Sequence, residues 1–329
     1  MFAMYKILFG FLICLVSTSA LLNAAAPLVY EGKSGPGKGK HLVFIASDHE
    51  YRSEETLPAL ARILAKHHGF KCSVVFGLNA KGEIQPGANN VPGIEELDHA
   101  DLMVSFTRFQ NWPTDQMKHF VAYLDRAGPI VGLRTATHGF NRIPKDSPYA
   151  KYNNGYGGAE YKDGFGRQVL GEKWAGHYGG NHSSSTRLDI VPEQASHPIL
   201  RGVKDMWAQC GGYNASPLKP FTALAMAQPL KGMSPDSPDD ETRKPVPGAW
   251  TRHYMGADGT TKGRVFTSTY GASNDIENEG YRRLLINACF WAVGMEQSIK
   301  PDADVSFVGP FNGTWARGKG RRKGGTKPA

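Results

Sequence analysis

The chain has 329 residues and a formal net charge of +8, with 40% hydrophobic and 21% charged residues. These values are ordinary for a globular protein of one large or two small domains. Removing Lys6 and the six basic residues of segment 317–329 lowers the formal charge to +1. The body of the protein therefore lacks the clustered basic and aromatic residues of a nucleic-acid site, and no nucleic-acid partner is expected.

The first 26 residues have the organisation of a secretory signal peptide. Lys6 supplies a positive n-region, and the apolar run 7–16 is shorter than the roughly 20 residues that cross a bilayer. Small residues at 24–26 offer a cleavage site. Because no later stretch is long and apolar enough to span a membrane, the sequence predicts a secreted or periplasmic protein that is not an integral membrane protein.

Short apolar strands alternate with amphipathic helices after a predicted Gly/Lys-rich linker at 27–40. The predicted strands of this part are 41–47, 71–76, 102–106 and 129–133. Ser53 and Thr114 are predicted to cap the starts of two helices, which close at Gly69 and Gly128, with a short helical stretch to Ala100 between them. This alternation is typical of an α/β domain with a mostly parallel sheet that is covered on both faces.

The pattern changes after the fourth strand, where a sharp turn at Arg134 is predicted to lead into a helix. A Gly-rich excursion over 142–180 follows. Further predicted elements are strands at 187–191, 221–226, 249–255 and 264–270 and a helix at 280–293. One domain over 41–296 is expected, followed by an extension over 297–329 whose basic end is predicted to be disordered.

Ligands of such sheets bind at the carboxyl ends of the strands. That edge is predicted to collect Asp48–Arg52, Thr107–Arg108 and Arg134–His138. The strand-to-helix turn at Arg134 is a position where a nucleophile often sits in α/β enzymes. An arginine cannot attack a carbonyl, so the most familiar chemistry of this turn is excluded.

The ordered segments resemble the ThuA-like (trehalose utilisation) family over roughly 41–294. The segments that carry the resemblance are 48–55, 132–136, 170–177, 197–199, 250–254, 263–271 and 290–294. The resemblance implies a class I glutamine amidotransferase-like, flavodoxin-like three-layer sandwich, a bacterial secreted protein and a role in carbohydrate metabolism. The chain departs from the family at Arg134 and Ala272, where many members have histidine, and at Gly211–Gly212, where an acidic pair is common.

The resemblance and the predicted edge together favour a protein that processes a disaccharide or its keto form by acid/base chemistry, as a hydrolase or an isomerase. Glutamine amidotransferase activity is not expected, because it needs a cysteine where Arg134 stands. The candidate proton-transfer residues are Glu50, His138 and His177, and the candidate substrate-binding residues are Tyr51, Arg52, Arg134 and Trp174. The alternative is a carbohydrate-binding protein on the same fold that has lost its catalytic chemistry.

Each candidate also has a purely structural interpretation. Arg134 could form a buried ion pair with a carboxylate such as Glu50, and Trp174 could pin the Gly-rich excursion to the body. No histidine pair has the tight helical spacing of a zinc protease, and the sequence indicates no particular metal or cofactor. It leaves the oligomeric state open, and it cannot choose a disulfide among Cys72, Cys210 and Cys289.

Overall fold

The computed structural model describes residues 27–317 together with 325 and 327. The predicted signal peptide and most of the predicted disordered tail therefore lie outside the described residues. Across the described part, every helix is too short or too polar to cross a bilayer.

Twelve strands and three α-helices, numbered in chain order, make up the regular structure of the described residues. The helices are α1 (Ser53–His68), α2 (Thr114–Asp125) and α3 (Glu279–Ala292). The strands of the first half are β1 (Leu28–Glu31), β2 (His41–Ser47), β3 (Lys71–Phe76), β4 (Leu102–Thr107) and β5 (Ile130–Leu133). Those of the second half are β6 (His177–Tyr178), β7 (Thr186–Ile190), β8 (Met206–Ala208), β9 (Gly212–Tyr213), β10 (Thr222–Pro229), β11 (Val246–Met255) and β12 (Lys262–Ser268).

Ten of these strands form one mixed sheet in the order β1-β3-β2-β4-β5-β12-β11-β10-β7-β8. The neighbours from β3 to β12 pair in parallel, whereas β1 and the strands from β11 to β8 pair antiparallel. The α/β class is confirmed, but the sheet is mixed rather than mostly parallel. The flavodoxin-like, three-layer detail stays a prediction.

Alternate side chains of the parallel strands enter two separate hydrophobic cores. Leu42 and Phe44 of β2 pack with α1 and α3, whereas Val43 and Ile45 pack with α2. This period of two explains why the parallel strands read as continuous apolar runs, since both faces of each strand are buried. The alternation therefore places every parallel strand between two layers of side chains and leaves its carboxyl end for a ligand.

Three local predictions were wrong in detail. Strand β1 lies inside the segment 27–40 that we predicted to be a linker, where Leu28–Glu31 pairs with β3 as an edge strand. The turn after β5 does not enter a long helix but makes one short 3₁₀ turn over Arg134–His138. Ser53 does not cap α1 through its side chain; Arg52 precedes the helix in a left-handed conformation.

The start of the predicted C-terminal extension packs on the body. Ile299, Val305 and Trp315 are almost fully buried and belong to the core on the α1 and α3 face. Most of the basic end lies outside the described residues. The described part of the extension is thus a packed segment that continues the domain beyond α3.

Candidate functional site

The carboxyl ends of β2, β4, β5 and β12 meet at one edge of the sheet, as the sequence predicted for the first three. Non-glycine residues with left-handed backbone follow three of these strands: Arg52 (φ 65°), Phe109 (φ 50°) and Arg134 (φ 43°). Such conformations cost energy in L-residues and collect at functional sites. Three of the eight such residues in the described part of the chain thus follow strand ends at this edge, which supports it as the candidate site.

Asp48 fixes the loop between β2 and α1. Its Oδ1 accepts hydrogen bonds from the amides of Glu50 and Tyr51 at 2.6 Å, and its Oδ2 accepts one from the amide of Ser53 at 2.7 Å. Carboxylate acceptors near a helix start satisfy amides that have no partner within the helix. This loop is therefore held in one shape, and Tyr51 is directed into the protein, where only 1% of its surface is exposed.

Arg134 lies fully buried beneath this edge and binds neutral groups. Its guanidinium donates to the carbonyl oxygens of Gly211 (3.0 Å) and Thr269 (2.9 Å) and to Oδ1 of Asn181 (3.2 Å). Its Cζ also lies over two aromatic faces, 3.8 Å from the Tyr51 ring centroid and 4.8 Å from that of Tyr213. Arg134 thus ties three chain segments together at a cation–π stack.

The carboxylate that we suggested as a partner of Arg134 pairs elsewhere. Glu50 accepts from Arg108 at 2.9 Å, and Arg108 also contacts the His49 ring. The Arg108 guanidinium lies 5.0 Å from the centroid of the Phe109 ring. Loop β2–α1 and the end of β4 therefore meet through an ion pair that is still partly open to solvent, unlike the buried Arg134.

Two predicted histidines and two aromatic residues form a continuous ring cluster. The His138 centroid lies 5.7 Å from Trp174 and 5.6 Å from Tyr213, while His177 lies 5.9 Å and 5.7 Å from the same two rings. Phe109 adds a further contact to His138 at 4.9 Å. His138 is 2% exposed, whereas Trp174 is 38% exposed. The cluster thus joins a buried imidazole to an accessible aromatic face.

Both imidazoles are held in the neutral form by their surroundings. Burial and the positive charges of Arg108 and Arg134 lower the pKa of His138 well below its ordinary 6.5. Desolvation and the charge of Arg134 lower the pKa of His177, although Glu50 opposes them. A neutral imidazole at neutral pH accepts protons, so the exposed His177 can serve as a base.

The structure therefore brings together Glu50, Tyr51, Arg134, His138, Trp174 and His177 of the predicted residues. Arg52 differs: it turns towards Glu54, with Nη1 3.7 Å from Oε1 at the start of α1. Sequence reasoning did not select Phe109, Asn181 or Tyr213, and it named Arg108 only as part of the edge. Tyr213 follows Gly211–Gly212, the departure from the family pattern, which was the available signal.

The described residues offer neither a cluster of metal ligands nor an accessible thiol. Within them, no group of three His, Cys, Asp or Glu side chains is placed to hold a metal ion. Cys72, Cys210 and Cys289 are free and buried, so no disulfide joins them. Cys210 donates its S–H to Asp275 at 2.8 Å, and burial raises the pKa of that thiol well above its ordinary value. A buried thiol of this kind is a poor nucleophile.

The fold and the edge define the class: an α/β protein with a mixed ten-stranded sheet and a polar, aromatic site at its strand ends. The family model described as "ThuA: Trehalose utilisation" matches residues 40–292. The chain belongs to the ThuA family.

Two solved structures of ThuA-like proteins resemble the chain. One from Bacteroides uniformis is 14% identical, with 83% of this chain and 98% of that chain covered and a TM-score of 0.50. One from Parabacteroides merdae is 16% identical, with 78% and 91% covered and a TM-score of 0.48. No protein with a curated description matches the chain.

Proposed function

We propose that this protein is a secreted bacterial enzyme of carbohydrate metabolism that processes a disaccharide or keto-sugar by acid/base chemistry. Membership of a family described by trehalose utilisation supports the substrate class. The single observation that carries the chemistry is the cluster in which His138 and His177 both contact Trp174 and Tyr213. It combines a stacking surface with groups that can move a proton.

The aromatic part of the cluster suits a sugar. The C–H faces of a pyranose are apolar and pack on flat rings, and Trp174 offers an indole that is 38% exposed. The Arg108 side chain is partly exposed and its charge acts on both histidines of the cluster, so its guanidinium can donate to hydroxyl or carbonyl oxygens of a ligand. The proposed ligand therefore rests on Trp174 and places its oxygens towards Arg108.

The histidines suit proton transfer next to a carbonyl. In the proposed step, neutral His177 takes the proton from the carbon beside a keto group, and the electron pair of that C–H bond moves towards the carbonyl oxygen. Positive charge from Arg108 and Arg134 surrounds this region and favours the developing oxyanion. Returning the proton to the former carbonyl carbon, while the neighbouring hydroxyl passes its proton to the oxyanion, isomerises the sugar. Loss of a β-substituent from the same intermediate re-forms the carbonyl and cleaves the sugar, with the proton from His177 passing to the departing oxygen. We propose the step that both outcomes share, which is removal of the carbon-bound proton by His177.

Glutamine amidotransferase activity is not part of the proposal. Arg134 occupies the turn where that chemistry needs a cysteine, and it is fully buried. Cys210 contributes to the surroundings of Arg134, but its thiol is buried and bonded to Asp275. We therefore expect no ammonia release when the protein is incubated with glutamine.

The test is exchange of the carbon-bound proton. Incubating a keto-disaccharide in D₂O with the chain from residue 27 should replace the hydrogen beside the keto group by deuterium, seen by NMR. His177→Ala should reduce the exchange rate at least about 100-fold, the lower range for a removed general base. Trp174→Ala should weaken binding with little effect on folding. His253→Ala removes an exposed histidine outside the cluster and is the matched control.

The same experiment tests the alternative of a non-catalytic carbohydrate-binding protein. Calorimetry that detects sugar binding to wild type but not to Trp174→Ala, without any deuterium incorporation, would support binding alone and overturn the acid/base proposal. Equal exchange by wild type and His177→Ala would remove His177 from the mechanism. Neither binding nor exchange with plain and oxidised disaccharides would refute the carbohydrate assignment.

A further inference from the structure

A short segment of the C-terminal extension, residues 313–316, docks directly behind the candidate site; we call it the strap. It lies beyond residue 292, where the family match ends. Trp315 is 3% exposed and occupies the space between two residues of the site region. Its ring stacks on His182 at 4.4 Å with an interplanar angle of 19°, and it contacts the Tyr51 ring at 5.9 Å.

Specific hydrogen bonds hold the strap in register. Thr314 donates from its amide to Glu55 at 2.9 Å and from its hydroxyl to the same carboxylate at 2.5 Å. The amides of Thr314 and Trp315 also approach the Ser273 hydroxyl at 3.1 and 3.2 Å. Asn274 receives the amide of Ala316 and donates to the carbonyl of Gly313, both at 2.8 Å. Because the backbone amides and a carbonyl of the strap are all hydrogen-bonded to the body, the strap occupies one defined position.

The partners of Trp315 belong to the machinery of the site. Tyr51 stacks on the Arg134 guanidinium, and its hydroxyl accepts from Nδ2 of Asn181 at 2.9 Å. Asn181 in turn accepts from Arg134 and immediately precedes His182. His182 has a left-handed backbone (φ 61°), so the 181–182 turn occupies a costly conformation that its surroundings must hold.

We propose that Trp315 is a positioning residue of the site: it clamps the 181–182 turn against Tyr51 and thereby fixes the excursion that carries Trp174 and His177. The strap lies outside the residues that match the family model, yet it completes the packing of the domain that they form. Removing the indole removes the ring that stacks on His182 and the tilted aromatic contact with Tyr51. The turn then loses an aromatic contact that confines it, and the ring cluster becomes mobile.

Hydrogen exchange of the backbone amides tests this proposal without reference to any substrate. The amides of Ser183 and Ser184 bond to the Gly180 carbonyl and report on the turn. Trp315→Ala should raise their exchange rates at least about tenfold, and Trp315→Phe should restore most of the protection because it retains an aromatic face. Trp291→Ala is the matched control, since Trp291 is 8% exposed and contacts His197 and Arg264 instead. Unchanged protection in Trp315→Ala would overturn the proposal.

Two truncations separate the strap from the basic tail. A chain that ends after Arg317 keeps the strap and should exchange like wild type, whereas one that ends after Asn312 should behave like Trp315→Ala. If the shorter chain does not fold, Thr314→Ala, which removes only the hydroxyl bonded to Glu55, should give a smaller increase in exchange at the same amides. Equal exchange in both truncations and wild type would contradict a role for the strap.

The effect on turnover rests on the proposed function. With a keto-disaccharide, Trp315→Ala should lower kcat/KM at least several-fold, because the loosened excursion carries both Trp174 and His177. Trp291→Ala should leave the ratio of these constants unchanged. If wild type shows no turnover but Trp315→Ala still loosens the turn, the proposed function fails and the strap stands. If the wild-type protein converts the substrate but the turn stays protected in Trp315→Ala, the proposed function stands and the proposed role of the strap is refuted.

Discussion

The guanidinium carbon of Arg134 lies 3.8 Å from the centroid of the Tyr51 ring, so a fully buried cation is stabilised here by an aromatic face, while its hydrogen bonds among the described residues go to neutral oxygens. Burial alone lowers the pKa of Arg134, but interactions with Cys210, Tyr213, Tyr51 and Asp275 outweigh burial, and that pKa lies well above its ordinary value. The charge therefore stays on the guanidinium. It joins the segments of Tyr51, Asn181, Gly211 and Thr269 beneath the site.

Arg134→Met should consequently destabilise the fold strongly. The substitution leaves two carbonyl oxygens and the Asn181 amide oxygen without their donor, and breaking such a buried network costs about 3–5 kcal/mol. Urea unfolding measures the loss. Arg187→Met removes an arginine from an ion pair whose side chain is 42% exposed, and less than about 1 kcal/mol is expected there. Similar losses in the two variants would show that Arg134 is not the organising group.

The parallel half of the fold could be predicted from the sequence because its periods are strong. Strands β2 and β3 begin and end where the apolar runs predicted, and α2 begins at the predicted Thr114. Strand β1 could not be predicted, since four residues in a Gly/Lys-rich context carry little signal and the strand exists through pairing with β3. Strand β8, three residues long, was missed for the same reason.

The site was predictable as an edge but not as a set of contacts. Asp48–Arg52 and Arg134–His138 were found because parallel strands end at a common edge. The contact of Tyr213 with His138 joins residues 75 positions apart in the chain through loops that have no period, so sequence carries no signal for it. The partner of Glu50 was wrong for a related reason: Arg108 and Arg134 follow adjacent strands, and only geometry separates them.

The neutral state of buried His138 predicts how stability depends on pH. The pKa of this histidine is lowered on folding, so the unfolded chain binds the additional proton below pH 6.5, the ordinary value. Above that pH His138 is neutral in both the folded and the unfolded chain, so it does not reduce the free energy of unfolding. As pH falls below it towards the depressed pKa of the folded state, stability is lost by up to about 1.4 kcal/mol per pH unit.

Unfolding free energies of wild type and His138→Asn, measured between pH 8 and pH 5, test this dependence; the two limits are about 1.5 pH units either side of the ordinary imidazole pKa. The difference between the two proteins should be constant at the upper end and should shift against wild type below pH 6.5. Curves that stay parallel over the whole range would mean that His138 titrates alike in the folded and unfolded chains.

Because the backbone of Phe109 is left-handed, we expect glycine at this position to give a more stable protein than alanine, the reverse of their usual order. At φ 50° an L-residue is strained, and glycine is not. Phe109→Gly and Phe109→Ala lose the same ring contacts with His138, so they differ mainly in the backbone. The glycine variant should be the more stable by about 1 kcal/mol. At the exposed Lys118 of α2 the order should reverse, with alanine better than glycine by about 1 kcal/mol. Thermal or urea unfolding of the four variants decides the matter.

The three cysteines of the chain from residue 27 should behave as core residues. Cys72, Cys210 and Cys289 are buried and free, and burial raises the pKa of Cys289 to about 12. A chromogenic disulfide reagent needs an accessible thiolate, so it should titrate no thiol in the native protein and three after denaturation. Reductant should leave the unfolding temperature unchanged, since no bridge is broken. Fewer than three thiols in the denatured protein, together with a fall in Tm on reduction, would reveal a disulfide and refute the packing of these residues as free thiols.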